Sequence, residues 1–145
     1  MRYSIALALF IMTIGCGGSR QLHTEAELRP WVGKWVGKGI RENRLDPVRV
    51  WTMSLQTKNN KLAGTMSDDI GEMKNSKMKN VKLLNGVLSF RVDFESMRGL
   101  IVSYEHRAQL KGNKLLSEFK GMEGGRTLVG KWEAKLVLED EVAAE

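Results

Sequence analysis

The chain is poor in the residues that build cross-links, metal sites and membrane spans. Its 145 residues include one cysteine, two histidines and two prolines. A single cysteine cannot form an internal disulfide, and two histidines leave little room for a zinc site. The longest apolar run, Ser4 to Ile14, is much shorter than the roughly 20 residues that a transmembrane helix needs. We therefore expect one domain without disulfides, metal or cofactor.

The amino-terminal residues differ in composition from everything that follows. Arg2 gives a positive start, Ser4 to Ile14 are almost wholly apolar, and small residues surround Cys16. This order is typical of a secretory signal peptide. With Gly15 directly before Cys16, it resembles the lipobox of bacterial lipoproteins, in which the cysteine is lipidated after cleavage. The alternative is an ordinary signal peptide cleaved nearby, with Cys16 as an incidental thiol.

The resemblance to lipoproteins implies a location as well as a modification. It predicts a palmitate-bearing anchor at Cys16 that ties the protein to a membrane of the cell envelope. Gly17 follows the cysteine where an aspartate would favour the inner membrane. In a Gram-negative cell we therefore expect the outer membrane, with the protein facing the periplasm.

The remaining chain divides by pattern into a short helical segment, a long strand-rich segment and an acidic tail. Thr24 and Glu27 have the spacing of a capping box, and Pro30 is expected to stop the helix. The predicted parts are the signal peptide 1–15, the lipidated tether and short helix 16–30, the β-barrel domain 31–138 and the acidic tail 139–145.

After Pro30, apolar and polar residues alternate with period two between turn signals, which predicts antiparallel strands. Asn59-Asn60, Asn85-Gly86 and Gly112-Asn113 supply residues that tolerate the positive φ of tight hairpin turns. The pattern predicts an all-β meander that closes into a barrel or folds into two packed sheets. Eight strands are expected, at 31–41, 48–58, 61–68, 77–84, 87–95, 100–110, 114–122 and 127–138.

Short motifs along these strands give the chain a family resemblance. They are Gly33-Lys34-Trp35, Trp35-Val36-Gly37, Lys61 to Thr65, Leu88-Ser89-Phe90 and Gly130-Lys131-Trp132. In this order they resemble the lipocalin-like small β-barrels, and more closely an uncharacterised family of short bacterial exported domains. The resemblance implies a barrel and a tendency to bind something small and apolar. If the first and last strands pair, Trp35 and Trp132 either plug one end together or are ordinary core residues.

An eight-stranded barrel is just wide enough to be filled by side chains or to hold one small ligand. Five residues of the expected inner face are candidate ligand contacts: Trp51, Phe90, Tyr104, His106 and Trp132. Tyr104 and His106 are either polar contacts in a cavity or residues near the end of their strand that are partly exposed or hydrogen-bonded locally. The whole expected inner set is Trp35, Trp51, Met53, Leu55, Leu62, Met66, Leu88, Phe90, Val92, Phe94, Val102, Tyr104, Leu115, Phe119, Trp132 and Leu136.

Catalysis and metal binding have weak support in the sequence. His106 is the one histidine of the strand region, and no nucleophile signature accompanies it. Asp68, Asp69 and Glu72 lack the spacing of a calcium loop and are expected in a solvated loop. Met73, Met78 and Met97 are expected to be loop residues without regular ligand spacing. We therefore expect no catalytic residues and no metal site.

The basic excess does not indicate nucleic-acid binding. The formal net charge is +6, and the densest cationic run is Lys74, Lys77, Lys79 and Lys82. No aromatic residues interleave with these lysines, whereas single-stranded nucleic acid needs rings on which bases stack. A solvated strand edge that discourages pairing with other chains fits the pattern better.

Two functions remain open from the sequence. The leading hypothesis is a membrane-anchored envelope lipoprotein whose barrel binds or carries a small hydrophobic ligand. The alternative is an envelope protein-interaction module with a fully packed barrel and no ligand cavity, whose protein partner the sequence does not name.

Overall fold

The computed structural model describes residues 23–42 and 47–138. The predicted signal peptide, Cys16 and the acidic tail lie outside the described residues. The elements are helix α1 (Glu25–Leu28), a 3₁₀ helix (Arg29–Trp31), β1 (Gly33–Arg41), β2 (Arg49–Lys58), β3 (Lys61–Asp68), β4 (Ser76–Leu84), β5 (Val87–Glu95), β6 (Ile101–Lys111), β7 (Lys114–Glu123) and β8 (Arg126–Val137). Predicted and observed strand ends agree closely. The largest difference is at β1, because Trp31 belongs to the 3₁₀ helix.

Each strand pairs antiparallel with the next, and β1 pairs with β8 to close the barrel. The predicted barrel is therefore confirmed. Of the two alternatives for Trp35 and Trp132, the joint plug is wrong, because Trp35 pairs with Leu136 while Trp132 pairs with Gly39. Four residues along a strand separate the two levels by about 13 Å. The two tryptophans therefore lie in different layers of the barrel.

The near end of the barrel, where β1 begins, is covered by the amino-terminal helices. The predicted capping box is present: Glu27 N donates to Thr24 Oγ1, and Thr24 N donates to Glu27 Oε2 at 2.8 Å. Leu28 and Trp31 are then buried to 1% and 4% exposure. The Trp35 indole nitrogen donates to the Trp31 carbonyl oxygen at 2.9 Å, which fixes the helical segment against β1.

Tight turns join β2 to β3, β4 to β5 and β6 to β7 at the near end. Asn59, Asn60, Asn85 and Gly86 have φ of 52°, 55°, 50° and 73°, as two-residue hairpin turns require. These turns lie where the sequence predicts them. Their asparagines and glycines adopt left-handed backbone conformations that other residues rarely enter.

The ladder between β3 and β4 is short. Its described pairs are Thr65 with Lys77 and Met66 with Ser76. Further along β4, a bulge between Lys79 and Lys82 inserts one residue against β5. The insertion shifts the alternation, so Val81 and Leu83 are partly buried against the core.

The loop between β3 and β4 folds over the far end of the barrel, opposite the helices. Met73 of this loop is 1% exposed, and its carbonyl oxygen accepts from Asp68 N at 3.0 Å. Glu72 lies 3.8 Å from Arg41 of β1 and accepts from Met97 N at 3.0 Å. These contacts tie the loop to two other elements at this end.

Of the three methionines expected in loops, only Met78 is misplaced, although Met73 is buried as well. Met73 lies in a loop but packs into the core, and Met78 belongs to β4 with 9% exposure. Met97 is an exposed loop residue as predicted. Periodicity could not place Met73, because its burial depends on how the loop folds back.

Candidate functional site

The predicted inner face is the core of the barrel. Fifteen of its sixteen members are at most 9% exposed, and Leu136 packs partly buried against them. The alternation of apolar and polar residues along each strand therefore identified the buried face correctly. The predicted ligand contacts all belong to this buried set, since His106 is 1% exposed as well.

Trp51 is the centre of an aromatic cluster inside the barrel. Its ring centroid lies 4.9 Å from Phe119, 5.9 Å from His106 and 6.1 Å from both Tyr104 and Trp132. Aromatic rings in contact have centroids about 4.5–7 Å apart. Trp51 therefore touches four other rings inside the barrel.

The cluster joins all five predicted ligand contacts. Phe90 stacks on His106 with centroids 4.6 Å apart and planes 6° from parallel. His106 and Tyr104 in turn contact each other at 6.2 Å. Strands β2, β5, β6 and β8 thus bring the five predicted residues into one cluster. Trp51 and His106 make most of the ring contacts that connect them.

Sequence reasoning missed the part that Phe119 and three strand glycines play in this cluster. A Cβ at Gly39 would lie 3.2 Å from the Trp51 ring, and one at Gly121 would lie 2.3 Å from the Tyr104 ring. A Cβ at Gly130 would lie 2.2 Å from Phe119. Glycine at inward strand positions is the signal that could have shown which rings press against the backbone of the neighbouring strand.

His106 is a buried neutral imidazole. Burial lowers its pKa from 6.5 to about 3. Its Nδ1 lies 3.4 Å from Ser117 Oγ, whereas Nε2 has no hydrogen-bond partner among the described residues. The expectation of partial exposure for Tyr104 and His106 is wrong, because both lie well inside β6 at 0% and 1% exposure.

A second ring nitrogen inside the barrel also lacks a partner. Trp132 Nε1 is buried, and no described residue accepts its hydrogen. Buried polar atoms are usually hydrogen-bonded, so unpaired ones require an explanation. These two nitrogens could bind a small polar group, but His106 cannot act as a general base near neutral pH with so low a pKa.

The outer surface carries a cleft of about 530 Å³ across β1, β6, β7 and β8, with Val87 at the start of β5 also in its lining. Its walls mix cations, carboxylates and apolar side chains, and Lys131 also pairs with Glu42 at 2.9 Å. The charged side chains of the cleft are of the kind found at the polar rim of protein interfaces, and its apolar side chains include Ile40, Val87 and Leu116. The lining residues are Lys38, Ile40, Val87, Arg107, Gln109, Lys111, Leu116, Ser117, Glu118, Lys131, Trp132 and Glu133.

The lysine run of β4 lies on the outer surface. Lys77 and Lys82 are exposed, and Lys79 Nζ lies 2.8 Å from Asp93 Oδ2. Hydrogen bonds from Lys79 and Ser103 hold the pKa of Asp93 below its usual value. Part of this positive charge is therefore already compensated within the barrel wall.

The acidic residues of the β3–β4 loop have structural contacts. Glu72 contacts Arg41 and Met97, and Asp69 N donates to Val50 O at 3.0 Å. Burial raises the pKa of Asp68. Across residues 23–42 and 47–138, no group of three histidine, cysteine or acidic residues is placed to hold a metal ion.

No protein-family model, curated protein or solved structure matches this chain. Among the described residues, no helix has the length and apolar character needed to span a membrane.

Proposed function

We propose that the protein is a lipid-anchored envelope protein whose barrel is a packed scaffold that binds a protein partner on its outer surface. The observation that carries this proposal is the aromatic cluster. Trp51 touches four rings, and it lies so close to Gly39 that a Cβ there would be 3.2 Å from the ring. Of the two functions open from the sequence, this geometry favours the interaction module.

The covered ends support the same proposal. Leu28 and Trp31 are buried at the near end, and Met73 is buried at the far end. A carrier barrel needs a route by which its ligand enters. Here a ligand would have to displace either the helical segment or the loop that Glu72 fixes to Arg41 and Met97.

The anchor is proposed from the sequence. Cys16 is diacylated, and the mature protein is attached to the outer membrane, facing the periplasm if the cell is Gram-negative. Two acyl chains are needed, because one alone gives marginal binding. Labelled palmitate should enter the wild-type protein but not Cys16→Ser, which should also leave the membrane fraction. Palmitate-free, soluble wild-type protein would contradict the anchor.

The outer cleft is the surface we assign to the protein partner. A photo-crosslinking residue at Leu116, in the cleft, should give one discrete adduct in intact cells. The same residue at Leu84, which is 53% exposed and lies outside the cleft, should not give that adduct. Equal adducts at both positions, or none at either, would contradict the assignment.

A second candidate function is transport of a small ligand that is mostly apolar. The unpaired Nε2 of His106 and Nε1 of Trp132 favour it, because one polar group on a ligand would satisfy a buried atom. Native mass spectrometry of protein purified from envelopes would detect a bound molecule that is lost on unfolding. A mass equal to that of the chain and its acyl groups would count against the carrier.

A further inference from the structure

Four large apolar side chains are exposed together at the far end of the barrel. Met97 is 73% exposed, Leu100 40%, Ile101 71% and Met122 58%. Met97 and Leu100 lie in the loop between β5 and β6, Ile101 begins β6, and Met122 is near the end of β7. We call these four residues the tip.

The strand ladder and the adjoining turn bring the segments that carry the tip together. Met122 pairs with Ser103, which is two residues from Ile101 on the same outer face of β6. A Cβ at Gly124 in the β7–β8 turn would lie 3.4 Å from Leu100 Cδ1, so this turn lies beside the β5–β6 loop. Neighbouring exposed apolar side chains of this kind mark a binding surface more often than chance.

Positive charge borders the tip. Arg98 lies between Met97 and Leu100 in the loop, and Arg126 follows the turn after Met122; both are exposed. Glu95 pairs with Ile101 across the ladder and is the nearest carboxylate on that strand. Glu72 accepts from Met97 N but is paired with Arg41, and Glu123 is buried beside Met122. Among the exposed charges at the tip, the two arginines exceed the one glutamate, so the border of the tip is slightly cationic.

We propose that the tip binds the surface of an anionic phospholipid bilayer. Protruding apolar side chains insert at the boundary between headgroups and acyl chains, while arginines remain at the headgroups. A stable dimer buries about 800 Å² per partner, which is more than four side chains provide, so a second copy fits less well. Each cation near an anionic surface adds further attraction.

This inference goes beyond the proposed function, because it assigns a separate surface and a separate partner. The tip lies at the far end of the barrel, whereas the residues that lead back to Cys16 leave from the near end. Binding by the tip is therefore independent of the proposed lipid anchor. It must be measured on protein without that anchor.

The test uses residues 17–145, which contain the closed barrel and the helical segment that covers its near end. Sedimentation with vesicles compares pure phosphatidylcholine with an equal mixture of phosphatidylcholine and phosphatidylglycerol. The unchanged chain should bind the mixed vesicles and show little binding to the neutral ones. The double variant Ile101→Glu, Met122→Glu should bind at least about tenfold more weakly, because two apolar side chains no longer insert.

Matched controls separate the tip from general charge. Leu84→Glu changes an apolar side chain of 53% exposure at the near end, and it should bind like the unchanged chain. Arg98→Gln, Arg126→Gln should lose the preference for anionic vesicles. Lys58→Gln, Lys61→Gln, with both lysines exposed in the near-end hairpin, should keep that preference.

Three outcomes would overturn the inference. They are absence of binding to anionic vesicles, equal weakening by Leu84→Glu and by the tip variant, and a dimer that the tip variant abolishes in vesicle-free solution. The last result would assign the tip to a second copy. None of the three affects the proposed packed interior, which is tested separately by ligand binding.

Discussion

The interior and the tip are both rich in large apolar side chains, but they differ in what those side chains contact. Trp51 is 2% exposed and touches four rings, whereas Ile101 is 71% exposed. The two regions even share a strand, since Tyr104 faces inward from β6 and Ile101 outward. Folding explains the interior, because burial of apolar area is its main driving force. It does not explain the tip, which therefore indicates binding.

The largest expected difference between the regions is in stability. Trp51→Ala should lower the free energy of unfolding by about 3–5 kcal/mol, because it leaves a cavity among packed rings. Urea denaturation measures this change. Leu84→Ala, at an exposed position, should stay within about 0.5 kcal/mol of the unchanged chain. A loss below about 1 kcal/mol for Trp51→Ala would show that the interior is loosely packed.

The second difference is in how stability depends on pH, because the interior contains the buried histidine His106. The folded-state pKa of His106 is lowered to about 3, so the unfolded state binds its proton first as the pH falls below 6.5. The stabilisation by neutral His106 is complete above pH 6.5 and is lost as the pH falls towards 3. Between pH 7 and pH 5 this loss is about 2 kcal/mol.

His106→Phe is the matched control for that loss. Phenylalanine keeps a ring against Phe90, whose centroid is 4.6 Å away, and removes the titrating group. Denaturation at the two pH values should show the unchanged chain losing about 2 kcal/mol more than the variant. Equal losses for both proteins would mean that His106 is accessible to protons in the folded barrel.

The smallest expected effect is at the tip. Ile101→Thr and Met122→Thr keep residues suited to strands and should change the free energy of unfolding by no more than about 0.5 kcal/mol each. Thermal and urea denaturation measure it. A loss above about 1.5 kcal/mol at either position would show that the tip contributes to folding. The contrast with the interior would then fail.

The sequence was sufficient for the strands, the turns and the inner face. These features depend on local alternation and on residues such as Asn59 and Asn60 that accept positive φ. The residues of the barrel interior could be predicted from the same alternation, because every second residue of a strand lies on one face. The capping box also depends only on residues close in sequence, Thr24 and Glu27, and the structure contains it.

Features that depend on distant parts of the chain could not be derived in this way. The levels of Trp35 and Trp132 follow from the register in which β1 meets β8. The burial of Met73 follows from a loop that folds back over the barrel, and that of His106 from its position well inside β6. The tip combines residues of two hairpins, so no single segment of the sequence shows it.

The central claim is that the barrel interior is packed and holds no ligand. The most direct measurement is a titration of residues 17–145 with a fluorescent fatty acid, monitored by quenching of tryptophan emission. Trp51 and Trp132 lie in the aromatic cluster and report on any molecule that enters it. A packed interior predicts no saturable one-to-one binding. Saturable one-to-one binding that quenches the tryptophans and disappears in Phe90→Arg would contradict it.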